Sequence, residues 1–271
     1  MLRTIQTLFV KTFTDAEQES AVKTRMGAAK INKRLIVICI LVAFGLSMIR
    51  YFSEVDFTAN FLRSLGAGHA AASFEALMFA SANAQLWRLA WWAGLIILFY
   101  LIIPALVILF YFKEKLSDYG LKFKGAFKDI QLYFIMLCVM VPLVLFFSTT
   151  RSFQARYPFY TLHAGESLFP NFMIWECLYF LQFFSLEFFF RGFMVHGLKN
   201  RFGFYSVFVM TIPYCMIHFG KPLPETLAAI IAGIVLGVLS LKSRSILLGV
   251  LIHFSVAISM DLCSLWQKGL L

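Results

Sequence analysis

Residues 168–192 read LFPNFMIWECLYFLQFFSLEFFFRG. Within this stretch the only carboxylates are Glu176 and Glu187, and no basic residue appears before Arg191. An apolar run of about 20 residues is the length that crosses a bilayer as a helix. The run predicts a transmembrane helix over 168–190 that carries ionisable groups within it. Such groups are expensive in lipid, so they are candidates for function.

The rest of the chain agrees with a membrane setting. Of its 271 residues, 61% are hydrophobic, 14% are charged and 32 are phenylalanine. Soluble domains carry about a quarter charged residues. The net charge of +10 does not point to nucleic acid, because the charges fall in short segments between apolar runs. Cys39, Cys138, Cys177, Cys215 and Cys263 sit in separate apolar runs and form no CxxC pair, so they read as small packing residues rather than a disulfide or zinc framework. The first 32 residues are polar and basic, and no signal-peptide cleavage site follows them.

Seven spans are predicted, at 35–52, 88–112, 130–149, 168–190, 203–219, 226–241 and 245–265. The class is an all-α, polytopic transmembrane helix bundle. It divides into a basic N-terminal segment 1–34, three helices within 35–150 with a loop at 53–87, and a four-helix core at 168–265. With the N-terminus in the cytoplasm, 17 of the 24 Lys and Arg residues fall on the cytoplasmic side, Arg191 among them. That asymmetry predicts an N-in topology with 53–87 outside. The expected location is a bacterial inner (cell) membrane.

The interior ionisable residues all follow position 170. Glu187 and Arg191 are four apart and share a helix face, where they can pair. His218 follows Tyr214 by one turn, and His253 lies in the last span. If the fourth helix continues to a turn near residue 201, Glu187 and His218 lie about 21 and 25 Å from it, and His253 about 15 Å from the turn at 242–244. Three helices can then bring one carboxylate and two imidazoles to a common layer. Such a set can activate water directly, or through a divalent metal such as zinc held by Glu187, His218 and His253. Glu176, Tyr214 and Asp261 are secondary candidates. Asp261 can fix a histidine tautomer or reach the outer interface. Glu225 reads as a cap after Pro224. Phe188, Phe189 and Phe190 read as packing and lipid contact, and His69, His163 and His196 as loop or interface residues.

Three motifs in order, Leu186-Glu187-Phe188-Phe189-Phe190-Arg191, then Tyr214-Cys215-Met216-Ile217-His218, then His253-Phe254-Ser255-Val256-Ala257, resemble those of the CPBP family, the CAAX protease and bacteriocin-processing (Abi) membrane proteins. The resemblance covers about 170–265. It implies an intramembrane endopeptidase acting on a peptide or protein in or at the bilayer, with Glu187, His218, His253 and Arg191 at its site. Its marks are EExxxR, FxxxH and HxxxN. Here Leu186 replaces the first Glu, Tyr214 the Phe and Ala257 the Asn. Those departures leave two readings beside catalysis, a non-catalytic immunity or scaffolding protein and a transporter. No inverted repeat supports the transporter.

Overall fold

The computed structural model describes residues 10–19, 32–163 and 165–271. The described residues are helical and contain no strand. The main helices are α1 (10–19), α2 (Lys33–Phe52), α3 (Val55–Ser64), α4 (Gly68–Glu75), α5 (Ala84–Phe112) and α6 (Ile130–Ser148), followed by α7 (Asn171–Glu187) and a π-helical segment, Phe188–His196. The chain ends with α8 (Gly197–Phe202), α9 (Ser206–Met216), α10 (Leu223–Ser243) and α11 (Leu247–Gln267).

Six helical runs are long and apolar enough to cross a membrane. The fourth, Asn171–Met216, has 46 residues. At 1.5 Å per residue that is about 69 Å, roughly twice a hydrocarbon core. It is two arms that reverse at Gly203–Tyr205, because α9 packs back against Phe188–His196. The six runs fall one short of the seven spans expected, because the fifth expected span, 203–219, is continuous with the fourth and its helix α9 has only 11 residues. The fourth arm, however, continues well past residue 190, where hydropathy ended it. Arg191 is fully buried inside the helix rather than in a cytoplasmic loop. Its charge is met by Glu187, so it does not terminate the span. The connection 53–87 is largely helical, holding α3, α4 and a π turn at Ala76–Ala80.

The chain forms two compact units. One comprises Met1–Leu41, Pro104–Leu137 and Glu187–His253, the other Val42–Ile103, Cys138–Leu186 and Phe254–Leu271. In the first, α9 packs on α10. Gly233 and Gly237 supply the close approach. A Cβ built at Gly233 would meet Thr211 at 3.0 Å, and one at Gly237 would meet Val207 at 2.7 Å. Small residues four apart on a helix allow this contact where lipid offers no hydrophobic drive. Leu236, Leu239, Leu248 and Ile252 form an apolar layer with Ile130, Tyr133 and Met136. α1 packs Phe13 on Phe204, and the Phe204 N–H donates to Glu17 Oε1 at 2.8 Å.

The second unit is held by aromatics. Trp175 stacks with Tyr179 at 4.8 Å and with Trp92 at 6.2 Å, and Phe183, Ala257 and Leu265 complete the cluster. On α6, Phe134, Val139 and Phe146 are exposed, as lipid-facing side chains would be. Cys39, Cys138 and Cys177 are exposed too, so these three do not serve as the packing residues their sequence context predicts.

Gly203 adopts φ 52° and ψ −131°, a conformation that favours glycine, and a Cβ there would strike the Glu17 carboxylate. Gly203→Ala is expected to cost about 1–3 kcal/mol and to lower the thermal unfolding temperature in detergent. An unchanged midpoint would contradict the assignment of this residue to the reversal.

Candidate active site

Glu187 is the last residue of α7 and stands where the helix widens into the π segment. π turns commonly occur at functional positions, because the extra residue re-aims side chains. Arg191 lies one turn on. Its Nη1 is 2.9 Å from Glu187 Oε1, and both side chains are wholly buried. The pairing expected from their spacing is present. A buried ion pair broken on one side leaves a charge stranded, at a cost of about 3–5 kcal/mol.

His253 arrives from α11 and completes the cluster. Its Nδ1 lies 2.9 Å from the same Glu187 Oε1. A carboxylate accepts, so Nδ1–H donates and Nε2 is the acceptor nitrogen of the neutral ring. Among these three side chains only His253 retains exposure, at 16%. One turn before it, Gly249 faces the same carboxylate. A Cβ at Gly249 would lie 2.8 Å from Glu187 Oε2. That second oxygen accepts no hydrogen bond from the protein.

His218 is fixed differently. α9 ends at Met216, and the His218 ring turns back so that Nδ1 donates to the Tyr214 carbonyl at 2.8 Å. A carbonyl can only accept, so Nε2 is the acceptor nitrogen of this ring too. The contact satisfies one of the orphan carbonyls of a helix end. Thr226 Oγ1 holds the His218 carbonyl at 2.9 Å, tying the turn to α10.

Tyr214 joins the parts. Its ring centroid lies 4.9 Å from that of His218 and 6.3 Å from that of His253. The Arg191 guanidinium carbon sits 3.9 Å over the same ring, and Phe190 packs edge-on at 5.3 Å. Glu187, Arg191, His253, Tyr214 and His218 are thus gathered, the first three through Glu187 Oε1 and the last two through the phenol ring.

The set read as metal ligands is not spaced as one. Among the described residues no group of three His, Cys, Asp or Glu side chains is placed to hold an ion. Nδ1 of each histidine is already committed. No step below passes through a metal.

The secondary candidates separate. Glu176 and Asp261 are both buried and are neighbours in the structure. Asp261 therefore has a carboxyl neighbour, where the sequence suggested a histidine or the outer interface. Glu225 sits in the first turn of α10 and pairs with Lys221 at 2.6 Å, in keeping with a cap. Phe188, Phe189 and Phe190 are packed within the protein and do not reach lipid. His196 is no loop residue. It is buried, with Nε2 3.0 Å from Ser240 Oγ, a partner 44 residues away that only the fold reveals.

Gly249→Ala is expected to displace Glu187 and to cost about 1–3 kcal/mol, as overpacking does. Gly94→Ala, where nothing lies within 4 Å of the added carbon, is the matched control and should be neutral or mildly stabilising. Thermal unfolding of the two variants compares them. Equal stability would mean that Glu187 has room to move.

Residues 168–259 match the family model described as type II CAAX prenyl endopeptidase Rce1-like. No curated protein matches the chain, and no solved structure does. The matched segment begins just before α7 and ends within α11, so it contains all five residues gathered above. Over these residues the chain is similar to the Rce1-like family, in keeping with the CPBP group of CAAX-type intramembrane proteases that its three motifs resemble.

Proposed function

We propose that this integral membrane protein is an intramembrane endopeptidase that hydrolyses a peptide or protein substrate with water activated by Glu187. The observation that supports this reading most directly is the asymmetric use of the Glu187 carboxylate. Oε1 is held by Arg191 and His253, while Oε2 accepts no hydrogen bond from the protein. One oxygen is fixed and the other is free to accept a proton.

In this mechanism a water beside Oε2 gives its proton to Glu187 as its oxygen attacks the scissile carbonyl. The C–N bond then breaks, and the proton passes to the leaving nitrogen. Nε2 of His253 and of His218 are the basic positions that orient the water and carry protons. Arg191 fixes the carboxylate and offsets its charge. Prenylated CAAX ends enter as a substrate class through the family match alone. The basic-residue asymmetry supports an N-terminus in the cytoplasm of a bacterial cell. The partners are the substrate peptide and the bilayer, with no nucleic acid.

A non-catalytic reading draws on one observation. Leu186 and Ala257 stand where the family has polar residues, and Ala257 lies in an aromatic cluster with Trp175 and Tyr179. An immunity or scaffolding protein would keep Glu187–Arg191 solely as a structural pair.

The two readings diverge in mutants. Glu187→Gln keeps size and shape but cannot take a proton, and His218→Ala removes one imidazole. Catalysis predicts that both lose cleavage of a fluorogenic CAAX-ended peptide, prenylated or not, in proteoliposomes while membrane abundance holds. A purely structural pair predicts that abundance falls for Glu187→Gln and for Arg191→Ala alike, and that any activity tracks it. Reporter fusions at Lys115 and Phe74 address topology. They should report opposite sides with Lys115 cytoplasmic, and a shared side would refute the N-in arrangement.

A further inference from the structure

We propose that the first compact unit carries a second binding site, a polar cavity that takes the headgroup of an anionic phospholipid, with the phosphodiester on Lys199 and Arg244 and a headgroup hydroxyl on His196 Nδ1. The cavity has a volume of about 310 Å³ and lies where α2 begins, α5 ends, α8 turns and α10 ends. That volume is at the low end of ligand sites, about 300–1,000 Å³. It suits a headgroup whose acyl chains stay outside. The N-in reading puts this end at the cytoplasmic leaflet, where basic pockets between helices take lipid headgroups. None of the lining residues belongs to the cluster around Glu187.

The charges on the cavity wall select the ligand. Glu114 is engaged within the protein, because Oε1 is taken by Arg34 and Oε2 accepts from the Tyr119 hydroxyl at 2.6 Å. Glu19 stands between two cations, with Lys199 Nζ 3.5 Å from Oε1 and Arg244 Nη2 3.9 Å from Oε2. Charge-assisted hydrogen bonds close to about 2.7–2.9 Å, so neither cation is drawn fully onto that carboxylate. Lys122 and Asp118 add one charge of each sign. Four cations thus face three carboxylates, and the single negative charge of a phosphodiester balances the excess. His196 lines the same cavity at 4% exposure, and its Nδ1 has no hydrogen-bond partner among the described residues. Ser240 Oγ is 3.0 Å from His196 Nε2 and 3.5 Å from the Arg191 carbonyl, which can only accept. The Ser240 proton goes to that carbonyl, so Nε2–H donates to Ser240 and Nδ1 is left as an acceptor. A phosphate oxygen cannot meet it, whereas a hydroxyl on the same headgroup does. Phe123, next to Lys122 in the chain, is 78% exposed and offers the acyl chains an apolar flank.

The test titrates the full-length protein in detergent micelles with dioctanoyl lipids and reads bound lipid by native mass spectrometry. Phosphatidylglycerol supplies both groups, and phosphatidylmethanol supplies the anionic phosphodiester without the hydroxyl. Phosphatidylcholine has neither net charge nor hydroxyl, and glycerol phosphate is the headgroup without a lipid. Wild type should bind phosphatidylglycerol most tightly. Phosphatidylmethanol should bind about fivefold or more weaker, the cost of an unmet buried acceptor. Phosphatidylcholine and glycerol phosphate should each bind about tenfold or more weaker than phosphatidylglycerol, for want of net charge and of acyl burial respectively. Lys199→Gln/Arg244→Gln should weaken phosphatidylglycerol about tenfold or more, the least that one charge-assisted contact is worth, with the thermal midpoint in lipid-free detergent held. Lys124→Gln/Lys128→Gln, on an exposed stretch outside the cavity, should change it by less than about twofold. Equal weakening by both pairs would mean attraction to a basic surface and overturn the site. Glycerol phosphate binding as tightly as the lipid would assign the cavity to a soluble phosphate and overturn the lipid. Phosphatidylmethanol binding as tightly as phosphatidylglycerol would overturn the contact of a hydroxyl with His196. Should the Lys199→Gln/Arg244→Gln protein unfold, the ligand series on wild type decides alone.

Discussion

The C-terminal core depends on a charge that has been removed from water. Glu187 and Arg191 are both fully enclosed, 2.9 Å apart, in a helix rich in phenylalanine. An unpaired charge at the centre of a spanning helix costs about 2.5–3.5 kcal/mol on insertion scales. Each residue is therefore tolerable only because the other is present. Their mutual need also explains the local geometry. The π segment begins at the residue after Glu187, Gly249 leaves room for its second oxygen, and His253 occupies the remaining donor position on the first. Neighbouring glycines serve the same end. Gly233 and Gly237 draw α9 onto α10, and this holds Tyr214 against Arg191.

An interaction of this kind is compatible with structure alone, and the chemical argument turns on what it leaves over. A purely structural pair would engage both carboxylate oxygens, since an orphaned buried acceptor costs about 1–3 kcal/mol. Here Oε2 is left without a protein donor. Both histidines also turn the same nitrogen outward from their fixing contacts, Nε2 in each case.

Much of this was legible in the sequence, for physical reasons that can be named. Long apolar runs revealed the spans because lipid demands them. The four-residue spacing revealed the Glu187–Arg191 pair because it reflects helix pitch. Counting residues from the turns placed Glu187, His218 and His253 near one layer because rise per residue is fixed. The failures are equally specific. Arg191 was assigned to a loop because a hydropathy reading sees its charge but not its partner. His196 reads as a loop or interface residue because Ser240 lies too far along the chain to be paired with it in advance. Gly233 and Gly237 carry no signal until the helix they face is known, and Gly249 reads as a permissive residue until Glu187 is seen against it. The approach of Asp261 to Glu176 joins helices whose relative rotation no single sequence specifies.

The central claim is that Glu187 Oε2 is the proton acceptor for an attacking water. A cryo-EM structure of the full chain in lipid nanodiscs, bound to a phosphonate analogue of the tetrahedral intermediate, tests it directly. The account predicts an analogue oxygen within about 3 Å of Glu187 Oε2, with the Nε2 atoms of His253 and His218 facing the same group. An analogue bound elsewhere, with Glu187 still enclosed by Arg191 and His253 and touching no ligand atom, would contradict it.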